Sequence, residues 1–246
     1  MMGLRRMAQC LGLLERRCAH CLAPFEARRD EAFCPACQPQ LAPYTGAACP
    51  RCGLPVPPGD AADAPSVPCG RCGEAPPPWT DFLSYGLYTG ALRDCLLRLK
   101  FSGELWLAGP LGSLMARRLQ ELRPNLIPPD VVLAVPQHPA HLRERGYNQA
   151  HELAAALCRE LRLPLTRRLL RRVRRVLPQA GLDAAQRQAN VRDSFAALPA
   201  GLAGARCWLV DDVLTTGSTA RAACHALLAA GAARVDMLVL ARTPLR

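Results

Sequence analysis

Cys207-Trp-Leu-Val-Asp-Asp-Val-Leu-Thr-Thr-Gly-Ser-Thr219 decides the fold. An apolar run ends in two adjacent carboxylates, Asp211 and Asp212. A hydroxyl-rich turn follows, Thr215-Thr216-Gly217-Ser218-Thr219, and leads into an Ala/Leu-rich stretch that runs to about Ala230. Read physically, this is a buried strand, a turn the size of a phosphate and a helix N-terminus. Backbone N–H groups at such a turn point outward, and the helix macrodipole adds positive potential. Gly217 lets backbone approach an anion, and Thr216, Ser218 and Thr219 bring hydroxyl donors. The paired carboxylates suit the vicinal hydroxyls of a ribose, or a hydrated magnesium ion. A sugar phosphate satisfies both ends.

Outward from this stretch, strands alternate with helices. Ser84 to Tyr88 reads as a short strand and Gly90 to Leu99 as a helix with Leu92, Leu96 and Leu99 on one face. A second helix is expected from about Leu105 to Leu122. The wholly apolar Val131 to Val135 suits the inside of a parallel sheet. A helix near Asn148 to Leu161 precedes a long basic connection, the strand Arg206 to Val210, a helix over 218–230 and a last strand, Val235 to Leu240. The pattern implies an α/β fold, a parallel sheet with crossover helices. Ligands in such sheets sit at the carboxyl ends of strands, so the loops after Val135 and Val210 should share a mouth. The loop after Val135 carries Arg143 and Arg145, whose guanidinium groups suit a pyrophosphate. Gly146 allows a sharp turn into Asn148-Gln149. His138 and His141 read either as phosphate or proton contacts or as plain surface histidines.

Eight of the thirteen cysteines form four Cys-x-x-Cys pairs: Cys18/Cys21, Cys34/Cys37, Cys49/Cys52 and Cys69/Cys72. Their spacing suits two structural Zn2+ sites of four thiolates each. Redox dithiols are the competing reading. Sequential pairing of knuckles is favoured over interleaved pairing, which spacing leaves open. Residues 55–68 and 75–78 are rich in Pro, Gly, Ala and Asp and read as a loop and a stiff linker. The expected division is a small zinc-ribbon module over 1–80 and an α/β domain over 81–246. Cys10, Cys95, Cys158, Cys207 and Cys224 lie singly in apolar patterns and read as small buried hydrophobes.

The net charge of +11 falls almost wholly after residue 80. Between Arg162 and Arg192 nine arginines face one acid, Asp183. Such a cluster attracts pyrophosphate, nucleic acid or an acidic protein surface. It also fits a solvated face in an arginine-biased chain whose only lysine is Lys100. No apolar run approaches the ~20 residues that cross a bilayer. The N-terminal apolar stretch is too short for a signal peptide, so a cytoplasmic location is expected.

The carboxylate pair and Thr/Gly/Ser loop resemble the signature of type I phosphoribosyltransferases, which bind phosphoribosyl pyrophosphate (PRPP) with Mg2+. The resemblance puts Asp211 and Asp212 on the ribose, with a catalytic role, and Thr215, Thr216, Gly217, Ser218 and Thr219 on the 5′-phosphate. Arg143 and Arg145 would grip pyrophosphate, and Lys100 another phosphate. The cysteine array, Leu99-Lys-Phe-Ser-Gly103, Arg143-Glu-Arg-Gly-Tyr-Asn-Gln149, Gln179-Ala-Gly-Leu182 and Arg187-Gln-Ala-Asn190 narrow the resemblance to the ComF family, linked to DNA uptake in competent bacteria. It implies a mobile loop carrying Gln179, Arg187 and Asn190. Val176 stands where that family has threonine. Purine-salvage relatives open the phosphate loop with an aspartate, where this chain has Thr215, which disfavours hypoxanthine or guanine as acceptor. Two functions follow. One is a PRPP-binding protein of the DNA-uptake machinery that also binds single-stranded DNA or a competence protein. The other is an active phosphoribosyltransferase of nucleotide metabolism with an unidentified acceptor and no DNA role.

Overall fold

The computed structural model describes residues 15–27, 31–56, 67–125, 127–173 and 194–244. Gln179, Arg187, Asn190 and Val176 lie outside them. Five parallel strands form the central sheet: β3 (Phe82–Leu87), β4 (Val131–Ala134), β5 (Leu165–Thr166), β8 (Arg206–Leu214) and β9 (Arg234–Arg242). Their order is β3-β9-β8-β4-β5. Period-two alternation assigns each side chain to a face. Trp208, Val210, Leu238 and Leu240 pack on one side, and Cys207, Leu209, Val235, Met237 and Val239 on the other. Both faces are apolar because both are covered.

Helices α2 (Gly90–Phe101), α3 (Ala108–Leu122) and α5 (Gln149–Leu161) cover the first face. In α2 the residues Leu92, Cys95, Leu96 and Leu99 recur at helical spacing and all are buried. Helices α3 and α5 approach closely at Gly112, where a Cβ would lie 2.4 Å from that of Ala156. The second face carries α6 (Ser218–Ala229) and an antiparallel ribbon, β6 (Leu170–Arg172) with β7 (Phe195–Ala197).

Three features differ from the sequence expectation. Pro139–Arg145 is a short helix, α4, rather than a loop: His138 caps it by accepting from Ala140 N–H, Pro139 starts it, and Gly146 ends it at φ +83°. The basic connection after α5 contains β5 and the β6/β7 ribbon. Strand β8 runs on through both aspartates to Leu214 instead of stopping before them. Lone β-type residues inside a polar context gave no periodic signal for these. The four single cysteines among the described residues, Cys95, Cys158, Cys207 and Cys224, are buried as expected, and burial pushes the thiols of the first three up to about 11.

The cysteine pairs assemble sequentially. Cys18, Cys21, Cys34 and Cys37 form one cluster, and Cys49, Cys52, Cys69 and Cys72 the other, with the sulfur atoms of each within 4.8 Å of one another. An all-thiolate set of four fits tetrahedral Zn2+ and would leave no open position. A strand pair, β1 (Glu15–Arg17) with β2 (Pro24–Glu26), leads into the first cluster, and α1 (Gly70–Glu74) carries Cys72 of the second. The clusters straddle the sheet. Cys18, Cys34 and Cys37 join the core under α2, where Arg98 donates to the His20 carbonyl at 2.6 Å. Cys49, Cys52 and Cys72 join the core of the opposite face, beside Trp79 and α6.

Purified under reducing conditions, the protein should contain two zinc equivalents by elemental analysis, and a strong chelator should lower its melting temperature. A metal content near zero in folded protein would contradict the assignment.

Candidate functional site

The crevice arises because β4 stops while β8 continues. The last link between them is Val135 N–H to the Val210 carbonyl, at 2.8 Å. Pro136 then turns the chain away, and it has no N–H to extend the ladder. Asp211 to Leu214 therefore overhang, paired only with β9 on the far side. In the overhang the carboxylates take backbone donors: Asp212 N–H bonds Asp211 Oδ1 at 2.9 Å, and Val213 N–H bonds Asp212 Oδ1 at 2.6 Å. This is the strand-end position at which open α/β sheets bind ligands.

Thr215 to Gly217 complete the turn, and α6 starts at Ser218 with Gly217 at φ +81°. A side chain there would be strained, and its Cβ would also sit 3.6 Å from the Trp79 ring. Thr216 Oγ1 lies 3.1 Å from Ser218 Oγ, which orders the hydroxyls at the helix start. Asp211, Asp212, Thr215, Gly217, Ser218 and Thr219 all line one cavity of about 140 Å³, with Gln137, Asn148, Gln149 and Arg172 on the facing walls. Thr216 is exposed beside it.

The electrostatics are lopsided. Lys100 reaches from the last turn of α2 to Asp212 Oδ2 at 2.9 Å. The lysine thus neutralises one of the two carboxylates. Burial, and then the neighbouring Asp212 charge, push the Asp211 carboxyl up to about 8. Two carboxylates in one partly desolvated place have too little positive charge near them. A divalent cation would supply it, whereas hydroxyl donors would give the carboxylates hydrogen bonds instead; the donor set fits Mg2+ held by Asp211 and Asp212. Burial lowers the Arg172 guanidinium pKa, and the Asp211 charge opposes that shift.

Other sequence-predicted residues stand apart from this cavity. Arg143 is exposed on α4. Arg145 lies with its guanidinium 5.1 Å from the centre of the Phe101 ring. Neither lines the cavity, because the segment that carries them forms a helix instead of wrapping over the strand end. His138 is a helix cap, and His141 pairs with Glu144 at 3.6 Å on the surface. In return the cavity recruits Gln137, Gln149 and Arg172. Gln149 was marked by its place at a helix start and at the end of the Arg143–Gln149 motif, and Arg172 was one of many arginines.

The second cysteine cluster is tied to the loop. Arg242, only 5 % exposed at the end of β9, donates Nε to the Cys52 carbonyl at 2.9 Å. Its Nη1 serves the carbonyls of Leu214 and Thr215 at 2.8 and 2.7 Å. Trp79 donates to the Arg51 carbonyl at 2.6 Å, and Arg221 of α6 bonds the Pro76 and Ala75 carbonyls at 2.8 and 2.6 Å.

Comparison with known proteins agrees with this two-part build. The phosphoribosyl transferase domain family model matches residues 145–245, and the double zinc ribbon domain model residues 12–76. DNA utilization protein YhgH of Salmonella typhi is 36% identical over 197 residues, covering 79% of this chain and 84% of that protein. Competence protein F of Haemophilus influenzae is 30% identical over 92% of this chain and 96% of its own length. Competence protein ComFC of Bacillus subtilis is 27% identical over 90% and 88%. With its double zinc ribbon joined to a phosphoribosyltransferase fold, the chain belongs to the ComF family of competence proteins.

Proposed function

We propose that this protein binds PRPP with Mg2+ in the crevice between β4 and β8 and acts, with single-stranded DNA as a partner, in DNA uptake. The observation that carries the reading is the cavity shared by Asp211, Asp212, Thr215, Gly217, Ser218 and Thr219. In this reading the carboxylates orient the ribose hydroxyls. The backbone N–H groups of the turn and the start of α6 hold the 5′-phosphate. Bound Mg2+ supplies charge for the pyrophosphate. Lys100 pairs with Asp212 Oδ2 and so positions that carboxylate for the ribose. Residues 1–80 serve as the zinc-braced support and 81–246 as the nucleotide-binding domain, in the cytoplasm.

The DNA reading draws on exposed aromatic rings with arginines beside them at the end of α2 and just after it. Phe101 is 71% and Trp106 49% exposed, with Arg145 and Arg98 stacked on them. Exposed rings among arginines suit stacked bases with a phosphate backbone running between them. The names of the relatives, which concern competence and DNA utilization, support the same partner. A second reading, a phosphoribosyltransferase without a DNA role, is favoured by the adjoining cavity of about 350 Å³, which shares Pro136, Gln137 and Asn148 with the crevice and offers space for an acceptor. In that case water must be excluded and the leaving pyrophosphate neutralised.

PRPP with Mg2+ should raise the melting temperature of the zinc-loaded protein, and Asp212→Asn should remove most of that shift. An equal shift in the variant would mean that the ribose lies elsewhere. Single-stranded DNA should bind at low salt and weaken steeply as salt rises, with a logarithmic slope of about −0.7 for each phosphate contact. Absence of binding at low salt, by fluorescence anisotropy, would exclude the DNA partner. Pyrophosphate release from PRPP across a panel of bases, amines and oligonucleotides separates turnover from binding.

A further inference from the structure

We propose that Trp79 and Arg51 are positioning residues through which the second cysteine cluster holds the phosphate turn, so that metal in that cluster and ligand in the crevice strengthen each other's binding. This control of the turn rests on, and deepens, the sugar-phosphate reading of the crevice.

Arg51 lies inside a Cys-x-x-Cys knuckle, between Cys49 and Cys52. Its guanidinium donates to three carbonyls of the chain that leads into β3: Pro77 at 3.0 Å, Trp79 at 2.9 Å and Thr80 at 3.1 Å. A guanidinium is a planar fork of donors, so three carbonyls fix its orientation as well as its place. Trp79 returns the contact through Nε1, which donates to the Arg51 carbonyl at 2.6 Å. The two residues thus lock each other, side chain to backbone in both directions. Gly53, just past the knuckle at φ +65°, lies so close to β3 that a Cβ there would meet the Phe82 ring at 2.4 Å.

Trp79 is 2% exposed, and the far edge of its ring reaches the turn. A Cβ on Gly217 would lie 3.6 Å from Trp79 Cη2, an ordinary van der Waals distance, so the indole floors the turn where its φ is positive. The Arg221 guanidinium lies over the same ring, 5.8 Å from its centre, and Arg221 N–H closes the first turn of α6 onto the Gly217 carbonyl at 2.8 Å. Trp79 therefore touches the knuckle at its nitrogen and the turn at its opposite edge. In a close-packed interior a displacement at one end of a rigid ring reaches the other.

The first cluster is placed differently. It joins the core of the opposite sheet face, and its bond from Arg98 to the His20 carbonyl ends on α2 and not on the turn. Metal in the second cluster fixes the Cys49–Cys52 knuckle and with it both ends of the Arg51–Trp79 lock. A ligand that binds the held turn better than a loosened one must, by linkage, make that metal harder to remove. The first cluster serves as the internal reference.

Amide hydrogen exchange, read by mass spectrometry on the full-length zinc-loaded protein without ligand, tests the positioning. Trp79→Phe keeps a ring in the core but deletes the indole N–H, and Arg51→Met deletes the fork. Each should speed exchange across residues 216–221 about fivefold, the effect of one lost hydrogen bond, and leave α3 at the parent rate. The linkage is read by adding a zinc-selective chelator, alkylating the freed thiols and mapping them peptide by peptide. PRPP with Mg2+ should slow alkylation of Cys49, Cys52, Cys69 and Cys72 about fivefold more than that of Cys18, Cys21, Cys34 and Cys37, and Trp79→Phe should erase the difference. With PRPP bound, equal protection of the two clusters, or none, overturns the proposal. So does exchange at the parent rate in either folded variant, or a rise shared equally by α3 and the turn, which marks a merely structural role. If PRPP fails to bind the parent protein, the sugar-phosphate reading falls, and the exchange rates still decide the positioning.

Discussion

A buried arginine holds the site to its support. Arg242 brings a charge into the interior and places it against carbonyl oxygens from three separate segments: the second cysteine cluster, the end of β8 with its turn, and its own strand end. Charge-assisted bonds of this kind contribute about 1.5–3 kcal/mol each, while a buried guanidinium without partners is costly. The geometry therefore favours all of the bonds together or none. When the cluster around Cys52 is folded, the carbonyls of Leu214 and Thr215 are held, and the loop amides after them keep their direction. The second cysteine cluster is therefore part of the scaffold for the crevice and more than an appended tail.

The crevice itself follows from unequal strand lengths. Pro136 ends β4 where β8 still has four residues to run, and those residues are Asp211 to Leu214. A sheet with matched strands would have buried the carboxylates against a neighbour. The cost of the arrangement appears in Asp211, whose proton is hard to remove beside Asp212. Lys100 offsets the Asp212 charge, and a bound cation would favour loss of the Asp211 proton.

Much of this was legible in the sequence because the relevant signals are local. The run Cys207 to Val210, the turn with Gly217 and the Ala-rich helix after it each obey a short-range rule, and the four cysteine pairs have spacing that only a few chemistries use. What escaped is long-range. Lys100 pairs with a residue more than a hundred positions away, and Arg242 reaches back to Cys52. No periodicity announces such contacts. Arg143 and Arg145 looked like ligands by their order in the chain, yet a proline and a capping histidine turn that order into α4 and take them out of the cavity. Gln149 read as a polar cap at a helix start, and burial makes it a wall of the site.

Phosphorus-31 NMR of PRPP, titrated with the zinc-loaded protein and Mg2+, tests the central claim most directly because it watches each phosphate separately. A braced turn at the start of α6 predicts that the 5′-phosphate resonance shifts and broadens on binding, and that Gly217→Val abolishes the change. Resonances that stay sharp and unmoved at saturating protein would contradict the account.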